Sequence, residues 1–207
     1  MLRTGQLVLL CLSFTQLPAF SSTIVFSTYG PNDTYDLTRA YTVGMTMTAG
    51  NSFLPQFTGP LQEIDFALSN ATGNGTVNVQ LLTDSGGAPG TLIESYTVTV
   101  TSTFPSAGSV VPALSVIHPI LHEDTAYWLI LSADTGSDNP WYFNSIGITG
   151  PRFETGLIVP DTMATFRVIE SSVAAPEPSV FVLMALGLAT VAGLRRRHAA
   201  ARESIQL

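Results

Sequence analysis

Between Ser22 and Val173 the apolar residues recur in short runs with a period of two, and no long segment carries the 3.6-residue period of a helix. Thr23 to Tyr29 predicts a first strand, and Gly30-Pro31-Asn32-Asp33 supplies turn chemistry after it. Arg39 to Met47 alternates, as does Leu61 to Leu68, where Ile64, Phe66 and Leu68 point one way and Glu63, Asp65 and Ala67 the other. That second run predicts a half-buried strand with a solvated acidic face. Asn74-Gly75 tolerates the positive φ of a tight connection, and Thr76 to Thr83 then places Val77, Val79 and Leu81 on one face. Further strands are expected at Thr91 to Thr101, Leu114 to His118, Thr125 to Leu131, Pro140 to Asn144 and Met163 to Glu170. The run ending at Leu131 is nearly continuous in apolar character, as in a strand buried on both faces. Roughly eight to ten strands separated by turn signals predict an all-β fold, a single antiparallel β-sandwich of jelly-roll-like form over 22–170.

The ends break this pattern. Met1-Leu2-Arg3, the apolar stretch Leu7 to Leu12 and the small residues Ala19 and Ser21 have the form of a secretory signal peptide over 1–21, cut before Ser22. The only cysteine, Cys11, lies inside it, so the body has neither a disulfide nor a thiol nucleophile. At the other end, 171–178 predicts a linker closing on Pro176-Glu177-Pro178. The uncharged run 179–194 follows, and then Arg195-Arg196-Arg197 within a tail over 195–207. Sixteen residues from Ser179 to Leu194, at about 1.5 Å each, reach roughly 24 Å across a hydrocarbon core of roughly 30 Å, so a transmembrane helix here depends on its flanks. The three arginines supply one flank by snorkelling to the headgroups, and the prolines end the helix on the other side. Four arginines follow the span, whereas the 20 residues before it hold one, Arg167, with the acids Asp161, Glu170 and Glu177. The positive-inside rule then predicts a single-pass chain with a cytoplasmic C-terminus and an exported β-domain.

A Pro-Glu-Pro motif, a short membrane helix and an arginine cluster, in this order, resemble the PEP-CTERM sorting signal of exported bacterial proteins. The resemblance implies passage through the general secretory machinery and the inner membrane. It implies next a partner in exosortase, acting at Pro176, Glu177 and Pro178, and finally delivery to the cell surface or extracellular matrix. A plain C-terminal membrane anchor is the alternative. A second resemblance, carried by Leu61 to Leu68, Val79 to Leu92, Tyr127-Trp128-Leu129 and Trp141, is to the choice-of-anchor β-domains that precede such signals. It implies a surface β-sandwich and supplies no activity.

Charge and chemistry narrow the rest. All eight basic residues are arginine; the body keeps only Arg39, Arg152 and Arg167 against thirteen acids, a net charge of −10. Such a surface repels phosphate and excludes nucleic acid as a partner. There is no Gly-x-Ser-x-Gly, His-Glu-x-x-His or phosphate loop, so a non-enzymatic role is expected. Glu63 and Asp65 share a strand face as a glycosidase pair would, although one strand builds no cleft. His118 and His122 are separated by Pro119, which disfavours the helical spacing that a metal site would use. Two features predict contact with extracellular polysaccharide: Trp141 and Tyr142, beside Pro140, as stacking rings, and the oxygen-rich Asp134 to Asn139 loop. In that loop Asp134, Asp138 and Asn139 are the candidate contacts, to sugar hydroxyls or to calcium at extracellular levels, with no resident cofactor or other metal expected.

Overall fold

The computed structural model describes residues 20–173 apart from 45, 106 and 107. The expected signal peptide up to residue 19, the Pro-Glu-Pro motif, the expected membrane helix and the expected arginine tail lie outside the described residues. Among the described residues no helix is long and apolar enough to cross a membrane.

Among the described residues thirteen strands form two sheets. In chain order they are β1 (Phe20–Ser27), β2 (Asp36–Gly44), β3 (Ala49–Phe53), β4 (Gly59–Leu68), β5 (Thr76–Asp84), β6 (Pro89–Thr99) and β7 (Ser109–Leu114), followed by β8 (Ile120–Leu121), β9 (Tyr127–Ala133), β10 (Asp138–Phe143), β11 (Thr149–Glu154), β12 (Leu157–Thr162) and β13 (Phe166–Val173). The first sheet runs β1-β13-β4-β10-β2, with β7 and β8 also paired to β4. The second runs β12-β11-β3-β9-β5-β6. The ladders are antiparallel, for example Val77 to Thr83 of β5 against Ala133 to Tyr127 of β9, and Glu63 to Leu68 of β4 against Leu114 to Ser109 of β7.

One core takes side chains from both sheets: Leu61, Ile64, Phe66, Trp141 and Phe166 from the first, Phe53, Val79, Leu81, Leu129 and Leu131 from the second. Phe53 meets Phe166 edge-on across the interface, with ring centroids 5.9 Å apart. A single core shared by two antiparallel sheets is the arrangement of a sandwich.

A smaller apolar cluster, Tyr29, Ala67 and Tyr142 packed by Tyr35 and Ala40, covers the other face of the first sheet. It corrects the expected solvated face of β4. Ala67 is fully buried and Asp65 is 2% exposed, because the segment between β1 and β2 folds back over that face. β13 also runs to Val173, three residues into the stretch expected as linker.

Candidate functional site

β10 carries four of the five candidate contacts, and strand geometry divides them. Successive side chains of a strand point to opposite faces, so Trp141 and Asn139 enter the core while Tyr142 and Asp138 face outward. Trp141 is 0% exposed. Its Nε1–H donates to the Thr165 carbonyl at 2.9 Å, and Phe66 and Phe166 flank the ring at 5.7 and 5.9 Å between centroids. A ring closed in on this scale offers no face to a sugar, and the stacking role expected of Trp141 is corrected to a core role. Tyr142 is 1% exposed, its hydroxyl 2.9 Å from Ser69 Oγ and its ring 5.3 Å from that of Tyr35. It floors the outer cluster rather than forming an open platform. Asn139 is fully buried, with neither Oδ1 nor Nδ2 bonded, so it too is withdrawn from any loop ligand set. Asp138 and Asn139 belong to the strand, not to the loop expected at that point. Asp134 is exposed and accepts a hydrogen bond from Asn78 Nδ2 at 3.2 Å. Among the described residues no three His, Cys, Asp or Glu side chains gather where they could hold a metal ion.

The outward pair opens onto a groove that the sequence did not reveal. About 530 Å³ in volume, it runs beside β2 and β10 and is lined by Leu37, Thr38, Arg39, Phe104, Asp138 and Tyr142 among others. Leu37 and Phe104 are exposed apolar side chains on its wall. Asp138 Oδ1 is a buried acceptor with no hydrogen bond. Arg39 supplies the groove's cation, its guanidinium 4.8 Å from the centre of the Phe143 ring. The lining thus combines apolar walls, hydroxyls, one acid and one base, the mix that small polar ligands with apolar faces use.

A second polar cluster lies on the same outer face. Arg167 Nε donates to Asp65 Oδ2 at 2.6 Å and Nη1 to Asp33 Oδ1 at 2.8 Å, and the guanidinium stands 5.3 Å from the centre of the Tyr29 ring. The Glu63 carboxyl is pushed up to about 7, first by its hydrogen bond with Asp65, then by burial and by the charge of Asp65, with Arg167 opposing. Glu63 and Asp65 do share a face, as their spacing predicted. Asp65 is sealed beneath Arg167, however, and only 2% exposed, which leaves it closed to a substrate. His118 Nδ1 lies 2.9 Å from the Leu61 carbonyl, and neither histidine joins a ligand cluster.

Residues 174–197 match the PEP-CTERM protein-sorting motif. The match follows directly on the last strand of the β-domain and covers the Pro-Glu-Pro triplet, the apolar run and the arginine cluster. No curated protein shows significant similarity to the chain. These observations define an all-β protein of antiparallel sheets carrying a C-terminal PEP-CTERM motif, a motif that marks exported proteins sorted by exosortase.

Proposed function

We propose that this is a non-enzymatic protein of the cell surface or extracellular matrix, a jelly-roll-like domain of choice-of-anchor type delivered by its C-terminal signal. The general secretory machinery removes residues 1–21 and exports the β-domain. The helix over 179–194 holds the chain in the inner membrane, with Arg195, Arg196 and Arg197 on the cytoplasmic side. Exosortase cleaves at or beside Pro176-Glu177-Pro178 and releases the domain outward. The match at residues 174–197 carries this reading. The test is to express the full chain, and the chain ending at Ala175, in a host with exosortase and in one without it. The full chain should yield a shortened product in the surface or matrix fraction only where exosortase is present, and the truncated chain should leave the membrane in both hosts. Equal mass and equal fractionation of the full chain in the two hosts would mean a plain membrane anchor.

The groove beside β2 favours a more specific role within that setting, binding of extracellular polysaccharide. Asp138 keeps its place from the sequence reading. Leu37 and Phe104 take over the part expected of Trp141 as apolar side chains against sugar ring faces, with Thr38, Arg39 and Asp138 beside them to bond hydroxyls. In affinity electrophoresis through gels containing neutral or acidic polysaccharide, the full chain in detergent should be retarded. Phe104→Ala and Arg39→Ala should each weaken retardation several-fold with an unchanged melting temperature. A chain that migrates equally with and without every polymer does not use the groove in this way.

A further inference from the structure

Among the described residues Glu170 is the most deeply buried acid that no cation accompanies. It is 3% exposed, lies on β13 where the register with β4 shifts between Ile169 and Glu170, and has an Oε1 with no hydrogen-bond partner. Removing a carboxylate from water without a counter-charge is costly. Burial alone pushes this carboxyl up to about 7, with no neighbouring charge contributing. The body's cations are committed elsewhere among the described residues: Arg152 to Glu154 and Asp161, Arg167 to Asp65 and Asp33, and Arg39 against Phe143.

The carboxyl opens into a cavity. About 300 Å³ in volume, it is lined by Thr23, Val25, Phe57, Thr58, Gly59 and Ser171 in addition to Glu170. Gly59 makes the space: a Cβ there would stand 2.6 Å from Glu170 Oε2. Phe57 is 55% exposed and forms part of the wall with Thr23, Thr58 and Ser171; Ser171 Oγ donates to the Pro60 carbonyl at 3.5 Å and keeps its own lone pairs, while Thr58 Oγ1 accepts the Glu123 N–H at 2.8 Å. A single carboxylate, several hydroxyl oxygens and an aromatic ring suit a compact cation with three N–H donors on a short apolar stem. They do not suit calcium, which takes six to eight oxygen ligands and usually more than one carboxylate.

We propose that this cavity is a primary-ammonium site in which Glu170 is the charge partner. Two sources have that chemistry. One is the chain itself, since the expected cut before Ser22 creates an α-ammonium next to Thr23, a residue of the cavity wall on the strand beside β13. The chain contains no lysine, so the α-amine is the only primary amine it can present. The other source is a free alkylamine.

The composition that motivates the proposal also makes it testable. The full chain, produced in a host without exosortase so that sorting plays no part, is labelled with ¹³C at glutamate carboxyls and purified in detergent after export. The Glu170 resonance is identified by its loss in Glu170→Gln. In one arm the α-amine is acetylated, which touches no side-chain amine because there is none. If the N-terminus is the occupant, Glu170 titrates in the ordinary carboxylate range before acetylation and near neutrality after it. In the other arm n-butylammonium is added. If free amines are the occupants, Glu170 titrates near neutrality at first and its midpoint falls by one pH unit or more in a saturable way, whereas tetramethylammonium, which has no N–H, leaves it in place. A Glu170 midpoint that neither acetylation nor n-butylammonium moves overturns the proposal. Gly59→Ala, whose added methyl crowds the carboxyl, should abolish the butylammonium response in a chain with an unchanged circular dichroism spectrum.

Discussion

Replacing Trp141 by alanine should lower the melting temperature of the chain by on the order of 10 °C, the largest loss expected of any single truncation here. The ring is fully buried between Phe66 and Phe166 and touches Tyr41 edge-on. Truncating such a residue costs about 3–5 kcal/mol through lost burial and the cavity left behind. The Thr165 carbonyl also loses the indole N–H and keeps the Ala67 N–H at 3.1 Å. For a domain of this size each kcal/mol moves the midpoint by roughly 2–4 °C. Thermal melts followed by circular dichroism check this. A change of less than 2 °C would show that the indole is not a core element. Trp141→Phe should fall between the two and leave polysaccharide retardation unchanged, which separates a packing role from a stacking one.

A comparable loss should follow Arg167→Met. That substitution keeps most of the side chain's volume and removes the only cation facing Asp65, Asp33 and Glu63 among the described residues. Breaking a buried pair from one side costs about 3–5 kcal/mol, because the remaining charge stays desolvated. Adding Asp65→Asn to Arg167→Met should restore most of the lost stability, and a double variant no more stable than the single one would refute the account. The pH dependence has a definite sign. Glu63 has a folded-state pKa raised to about 7, so its contribution to stability is complete below its unfolded value and is lost as pH rises toward and through 7. Arg167 opposes that rise. Without it Glu63 moves higher, and Arg167→Met should lose more stability between pH 5 and pH 8 than the parent chain does.

The strands that the apolar pattern announced are those whose own side chains fill the core, such as β4 and β5 by alternation and β9 by its nearly continuous apolar run. The strand expected at Leu114 to His118 lies earlier, as β7 at Ser109–Leu114, and two further kinds of strand escaped altogether. β3, Ala49-Gly50-Asn51-Ser52-Phe53, has a single large apolar residue yet is wholly buried. Its burial comes from close approach, since a Cβ on Gly50 would stand 2.3 Å from Ile130 Cδ1, and from Asn51 Oδ1 accepting the Ala164 N–H at 3.0 Å. Neither fact leaves a periodic trace. The β11–β12 hairpin was hidden by Pro151 and Pro160, which face each other across the ladder. Proline argues against a strand unless the strand is at an edge, and β12 is an edge. Its turn, Thr155-Gly156 with φ of 46° and 91°, is an ordinary tight connection.

The candidate site was legible to the same degree. The stretch around β10 did prove to border a groove, but the residues chosen by type were divided by a strand's two faces, and the buried half included Trp141. Arg39, Leu37 and Phe104 carried no local signal, because the groove forms from segments distant in sequence. Asp65 shows the same limit. Alternation assigned it to the outer face correctly and could not foresee that Arg167 and Tyr29 would cover that face. The PEP-CTERM motif was readable in full, since its recognition depends on order along the chain and not on folding.

The place of β13 in its sheet bears on how the domain carries load. The strand from which the sorting segment departs is not an edge: it lies between β1 and β4. Tension entering at Val173 pulls along β13, so it must shear two hydrogen-bonded ladders at once instead of peeling a border strand open one bond at a time. A domain pulled from its C-terminal side would therefore hold together longer than one whose last strand lay at a border.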